Sequence, residues 1–195
     1  MIFAFLNAAV FALLLQNLVF DGGFGMSEAI RIATKPKEFL PIAFTVAFFT
    51  GTTAAVCSAL DLIPAVHGLT TAYHLLIYCA VLAAVYLGFT AVIRYGFKKK
   101  NESIHRIGMA AVNTLVLAVP MINRRAAFGV VESIGVGLGA GLAFVLAVLL
   151  IGEGQARLSE NDSLPDSFRG KPALFLYIAL ISLGFAGLSG QAMFV

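Results

Sequence analysis

Charge is scarce in this chain. Only 12% of its 195 residues are Asp, Glu, Lys or Arg, about half the share of an ordinary soluble domain. Hydrophobic residues make up 60%, and the mean hydropathy is +0.95. That balance excludes a soluble globular domain. Cysteine is scarce too. Cys57 and Cys79 are the only two, both inside apolar runs, with no CxxC and no metal-type spacing, so they read as buried thiols acting as small hydrophobes. The first residues, MIFAFLNAAVFALLLQ, lack the basic region and small-residue cleavage site of a signal peptide, and read as a retained first span. The net charge of +3 and pI near 9.0 do not point to nucleic acid. The basic residues lie between apolar runs, where they set topology.

What the chain has is apolar runs. Roughly 20 apolar residues cross a bilayer as a helix, and six runs qualify, at about 2–20, 39–60, 70–95, 104–119, 130–151 and 172–193. The expected fold is therefore an all-α integral membrane protein with one membrane domain over 1–195. The stretches after the first, third and fifth runs hold eleven basic residues: Arg31, Lys35, Lys37, Arg94, Lys98, Lys99, Lys100, Arg106, Arg157, Arg169 and Lys171. The opposite side holds two, Arg124 and Arg125. The bias places the odd loops in the cytoplasm and both termini outside. Three spans per half is an odd number, so the second half enters from the other side. This gives two inverted three-helix repeats, 1–97 and 104–195.

The first run breaks down over LLLQNLVFDGGFGMS. An amide pair, Gln16-Asn17, sits inside it, and Asp21, Gly22, Gly23 and Gly25 follow. The fourth run carries a weaker echo, with Asn113 in an apolar setting and Pro120 as the breaker. Interrupted spans at matching points of two repeats meet near the midplane and form working sites. Asn17, Asn113 and Gly25 are the expected midplane polar residues. The plainer reading is that the two amides cap short helices, satisfying backbone that lipid cannot. Asp21 reads either as an intramembrane acid or as a residue of the cytoplasmic interface. The glycines of GVGLGAG, 135–141, suit close helix approach. His67, His74 and His105 read as interfacial, because no carboxylate or thiol is spaced with them. Glu132 fits the favourable dipole position in a first helical turn.

Further motifs carry a resemblance. The fifth run opens with Glu132-Ser133 followed by Gly137 and Gly139. Pro165 and Phe168-Arg169-Gly170 precede a sixth run ending in Gly184-Phe185-Ala186-Gly187 and Gly190. These are similar to the ES-x-x-x-G-x-G, V-P-x-x-F-[KR]-G and L-x-F-x-G-x-x-G patterns of the RnfA and NqrE family. Asn17 with Phe24-Gly25-Met26-Ser27, and Asn113-Thr114, resemble that family's two broken-span motifs. The resemblance implies a subunit of an Rnf- or Nqr-like electron transport complex in the bacterial cytoplasmic membrane, not catalytic alone. Lying beside a sister six-span subunit, it would couple electron passage to Na⁺ or H⁺ movement. The family's broken spans supply cysteines to a [2Fe–2S] cluster shared with the sister subunit. Here those positions hold Ser27 and Thr114, and hydroxyls substitute poorly for thiolates. The alternative is a cluster-free transporter or channel-like subunit of the same fold.

Overall fold

A computed structural model describes residues 1–96, 108 and 110–189. Lys98, Lys99, Lys100, His105, the expected start of the fourth span, the junction between the repeats, and the end of the sixth span with Gly190 lie outside the described residues. The described residues are helical, without strands. Helix α1 (Ile2–Val10) runs on as a π-helical turn, Phe11–Leu15. Then come α2 (Met26–Ala33), α3 (Pro36–Leu60), the short α4 (Pro64–His67) and α5 (Thr71–Ala91), which ends in a second π-helical turn, Val92–Gly96. The second half holds α6 (Thr114–Arg125), α7 (Val130–Ser159) and α8 (Lys171–Ser189).

Four stretches are long and apolar enough to cross a membrane: Pro41–Leu60, Thr71–Gly96, Val130–Ser159 and Lys171–Ser189. The first and third are 56% and 61% buried, the other two 11% and 17%. Helices α3 and α7 are thus the inner pair, and α5 and α8 flank them with apolar faces outward. The second expected span matches α3, the third matches α5 with its π-helical end, and the sixth begins with α8. The first, fourth and fifth need correction. The first helix stops at Leu15 rather than reaching Phe20, because Gln16 leaves helical geometry at φ −122°, ψ 72°. Pro120 does not close the fourth run; it lies inside α6, and the break falls earlier, at Val112 and Asn113. A membrane helix tolerates the lost N–H where neighbours satisfy the freed carbonyl. The fifth helix runs to Ser159, shortening the expected polar loop, and its extra turns carry the Glu153–Arg157 ion pair at 2.8 Å.

Helix α7 organises the packing, chiefly against α3 and then α1. Lipid tails are as apolar as Leu, so helices in a bilayer associate through close packing rather than through burial from water. Small residues achieve this here. A Cβ built on Gly135 would sit 2.5 Å from the Phe5 carbonyl oxygen of α1, and one on Gly139 would press on Ala9. On the other side, a Cβ on Gly137 would sit 2.8 Å from the Gly51 Cα of α3, and one on Gly141 2.5 Å from the Ala47 Cα. Two i, i+4 glycine pairs therefore face two different helices. Val46, Val136, Ala140, Phe144 and Ile151 fill the fully buried layer around this seam. Helix α8 joins through a Tyr177 hydroxyl donating to the Leu150 carbonyl at 3.0 Å, and through Phe185 stacked on Phe20 with centroids 4.8 Å apart.

Candidate functional site

Between Leu15 and Met26 the backbone leaves the helix inside the protein. Gln16, Asn17, Leu18, Val19 and Phe20 are all buried. Backbone there must find partners within the chain. Asn17, fully buried, supplies three. Its Oδ1 accepts from the Val19 and Phe20 amides at 3.1 and 3.2 Å, and its Nδ2 donates to the Leu13 carbonyl at 3.0 Å. One amide side chain thus closes the end of the first helix and shapes the loop after it. Asp21 lies exposed beyond this point, its backbone amide donating to the Asn17 carbonyl at 2.8 Å.

The loop returns to a helix at Gly25, which caps α2 with φ +78°. Only glycine adopts that angle without strain, and a Cβ there would also lie 2.9 Å from Asn113 Oδ1. Asn113 is in turn the N-cap of α6, its Oδ1 accepting from the Leu115 amide at 3.0 Å. The Gly25 amide donates to Thr114 Oγ1 at 2.9 Å. Two helix N-termini from opposite halves of the chain therefore meet. Each presents the positive end of its dipole, and short polar side chains serve their free amides. Asn113 Nδ2 at this meeting point, and Gln16 Oε1 at the end of the first helix, are buried without partners among the described residues. The structure brings Gly25, Asn113 and Thr114 together, with Asn17 shaping the loop that leads to them. Ser27, one residue into α2, is exposed.

This geometry bears on the expected cluster position. Ser27 and Thr114 offer hydroxyls, and that of Thr114 already accepts the Gly25 amide. The two thiols lie elsewhere, on α3 and α5. Among the described residues no three His, Cys, Asp or Glu side chains converge as metal ligands. This chain's residues do not fit an iron–sulfur cluster. Cys57 is buried as expected, whereas Cys79 is exposed on the outward side of α5.

A second polar group gave no warning in the sequence. Asp61, just beyond α3, accepts from the Tyr78 hydroxyl through Oδ2. Its Oδ1 lies 3.6 Å from His74 Nε2 and 3.9 Å from Arg124 Nη1. His74 is fully buried, and its Nδ1 donates to the Thr70 carbonyl at 3.0 Å. The expectation of an interfacial histidine without a carboxylate partner is thus corrected: the α3–α5 turn folds Asp61 back onto His74. His74 and Tyr78, four residues apart, share one face of an apolar helix, but that spacing gives no sign of Asp61.

Comparison with known proteins bears on the whole chain. Residues 5–192 match the model of a family described as Rnf-Nqr subunit, membrane protein. The chain is 27% identical over 187 residues to a subunit of the ion-translocating oxidoreductase complex of Aromatoleum aromaticum, covering 91% of this chain and 92% of the relative. A protein of the same description from Pseudomonas paraeruginosa is 28% identical, covering 93% and 94%. One from Colwellia psychrerythraea is 25% identical over 191 residues, covering 95% and 96%.

Proposed function

Because the chain belongs to the Rnf-Nqr family of membrane subunits, we propose that it is an integral membrane subunit of an ion-translocating electron-transport complex. Beside a sister six-span subunit, it helps couple electron passage to Na⁺ or H⁺ movement, with no catalysis of its own. The observation that carries this reading is the family match over 5–192, in a chain whose two halves each break and meet at one point. The reading includes six spans in the bacterial cytoplasmic membrane, arranged as inverted repeats of 1–97 and 104–195 within a single domain. The interrupted pairs α1–α2 and 110–125 count as the first and fourth spans. The eleven-to-two distribution of basic residues supports both termini outside. C-terminal fusions to a periplasmic reporter enzyme are expected to be active, and fusions to a cytoplasmic one silent. The reverse pattern would defeat the orientation. Copurification of the tagged chain with other membrane subunits tests the assembly, and a chain that purifies alone from its native membrane speaks against it.

Ser27 and Thr114 take the place of cluster ligands without the chemistry for it, so any two-iron centre here draws its thiolates from a partner. Ser27→Ala and Thr114→Ala should leave the iron content of the complex unchanged. Thr114→Ala should lower stability by about 1 kcal/mol, because the Gly25 amide loses its acceptor. Loss of iron in either variant would show that the hydroxyls hold the centre after all. The missing thiols also favour a second reading, a cluster-free ion or solute transporter of the same fold. Full electron transfer by a complex lacking this chain would select it.

A further inference from the structure

At the end of the bundle where α3 stops, a small cavity lies between α3, α6 and α7, lined by Ser58, Asp61, Asn123, Arg124 and Ser133 among others. It leaves about 10 Å³ for the centre of a water-sized sphere, close to the roughly 10–15 Å³ that one water needs. Four buried atoms of its walls have no hydrogen-bond partner among the described residues: Asp61 Oδ1, Asn123 Oδ1, Arg124 Nη1 and Ser133 Oγ. Asn123 is 3% exposed and Ser133 0%. Other polar atoms of these side chains are engaged. Asn123 Nδ2 donates to the Ser133 carbonyl at 3.3 Å, and Arg124 Nη2 reaches the His67 and Leu69 carbonyls at 3.4 Å each. The gap between Asp61 Oδ1 and Arg124 Nη1, 3.9 Å, is too long for a hydrogen bond and of the kind a water bridges.

We propose that this cavity is a binding site for one water molecule, held by Asp61, Asn123, Arg124 and Ser133. The choice of ligand follows from the donor set. Arg124 Nη1 can only donate, the Asp61 and Asn123 oxygens can only accept, and the Ser133 hydroxyl does either. A water accepts from Arg124 and Ser133 and donates to Asp61 and Asn123, using all four of its hydrogen bonds. A bare cation has no use for the arginine N–H and adds a positive charge beside it. An anion has no use for the two acceptor oxygens. The water ties α3, α6 and α7 together, and through Asp61 it extends to Tyr78 and His74 of α5. This site stands apart from the function proposed above and does not depend on it.

The test is an experimental map of the purified protein, alone or with whatever subunits accompany it, at a resolution that reveals ordered solvent, recorded in sodium and in potassium salts. A single peak is expected within about 2.7–3.2 Å of all four atoms, unchanged between the two salts. Ser133→Ala should keep the peak with three contacts. Asn123→Leu, which fills the cavity, should abolish it. No peak in the unsubstituted chain overturns the proposal. So does a peak that vanishes when sodium is replaced, or one that survives Asn123→Leu. If Asn123→Leu does not fold, the maps of the unsubstituted chain and Ser133→Ala still decide.

Discussion

Gly139→Leu and Gly141→Leu, introduced singly, are expected to leave little folded protein. A Cβ at Gly139 would lie 2.9 Å from the Ala9 Cα, and one at Gly141 2.5 Å from both the Ala47 Cα and its Cβ. The obstacles are backbone and the first side-chain carbon, which no rotamer change can move aside. Overpacking a close-packed interior ordinarily costs about 1–3 kcal/mol. Here a whole isobutyl group must push α1 or α3 off α7, so the loss should exceed about 3 kcal/mol, a large part of a typical total of roughly 5–15 kcal/mol. The measurement is thermal unfolding with size-exclusion profiles in detergent. Gly184→Ala and Gly187→Ala on α8 supply the contrast, since a Cβ there meets nothing within 4 Å. Those two should be neutral or stabilising by roughly 0.5–1 kcal/mol. A Gly139→Leu protein that melts with the unsubstituted chain would remove the seam from the account of stability.

Asn17→Leu should be comparably severe, for the opposite reason. It removes both polar atoms of the side chain and strands the Val19 and Phe20 amides and the Leu13 carbonyl. Each buried unpaired group costs about 1–3 kcal/mol, so a loss of roughly 3 kcal/mol or more is expected. Asn17→Asp keeps the two accepted bonds but loses the donor to Leu13 and places a charge among apolar neighbours, which is also costly. Asn113→Ala removes a single capping bond, that of the Leu115 amide, and should cost only about 1 kcal/mol. Amide hydrogen exchange over residues 16–25 reports the difference directly. Fast exchange is expected in Asn17→Leu and near-normal protection in Asn113→Ala. Equal protection in both would mean that Asn17 does not organise the break.

The apolar runs made the helical membrane class readable, because bilayer thickness dictates run length and few soluble chains carry so little charge. The meeting of Gly25 with Asn113 and Thr114 was foreshadowed by polar residues inside apolar runs. Helix ends were less readable. Pro120 looks like a terminator from its missing N–H alone, yet packing in α6 overrides it. Glu153 and Arg157 look like loop residues, yet as an i, i+4 pair they extend α7. The Asp61–His74–Tyr78–Arg124 group was unreadable for another reason. Its members come from three parts of the chain, and only the tertiary fold brings them together.

The lateness of α7 in the chain bears on biogenesis. The ribosome delivers the protein from its N-terminus, so residues 1–129 enter the bilayer before the helix with which α1 and α3 pack has been made. For that interval the faces that will meet the glycine seam have only lipid and each other as neighbours. Residues 1–129 already contain the partners of the α3–α5 and α3–α6 packing and of the Gly25–Thr114 bond, and lack the seam. The packing of α1 and α3 on the glycine seam is therefore among the last parts of the fold that synthesis makes possible.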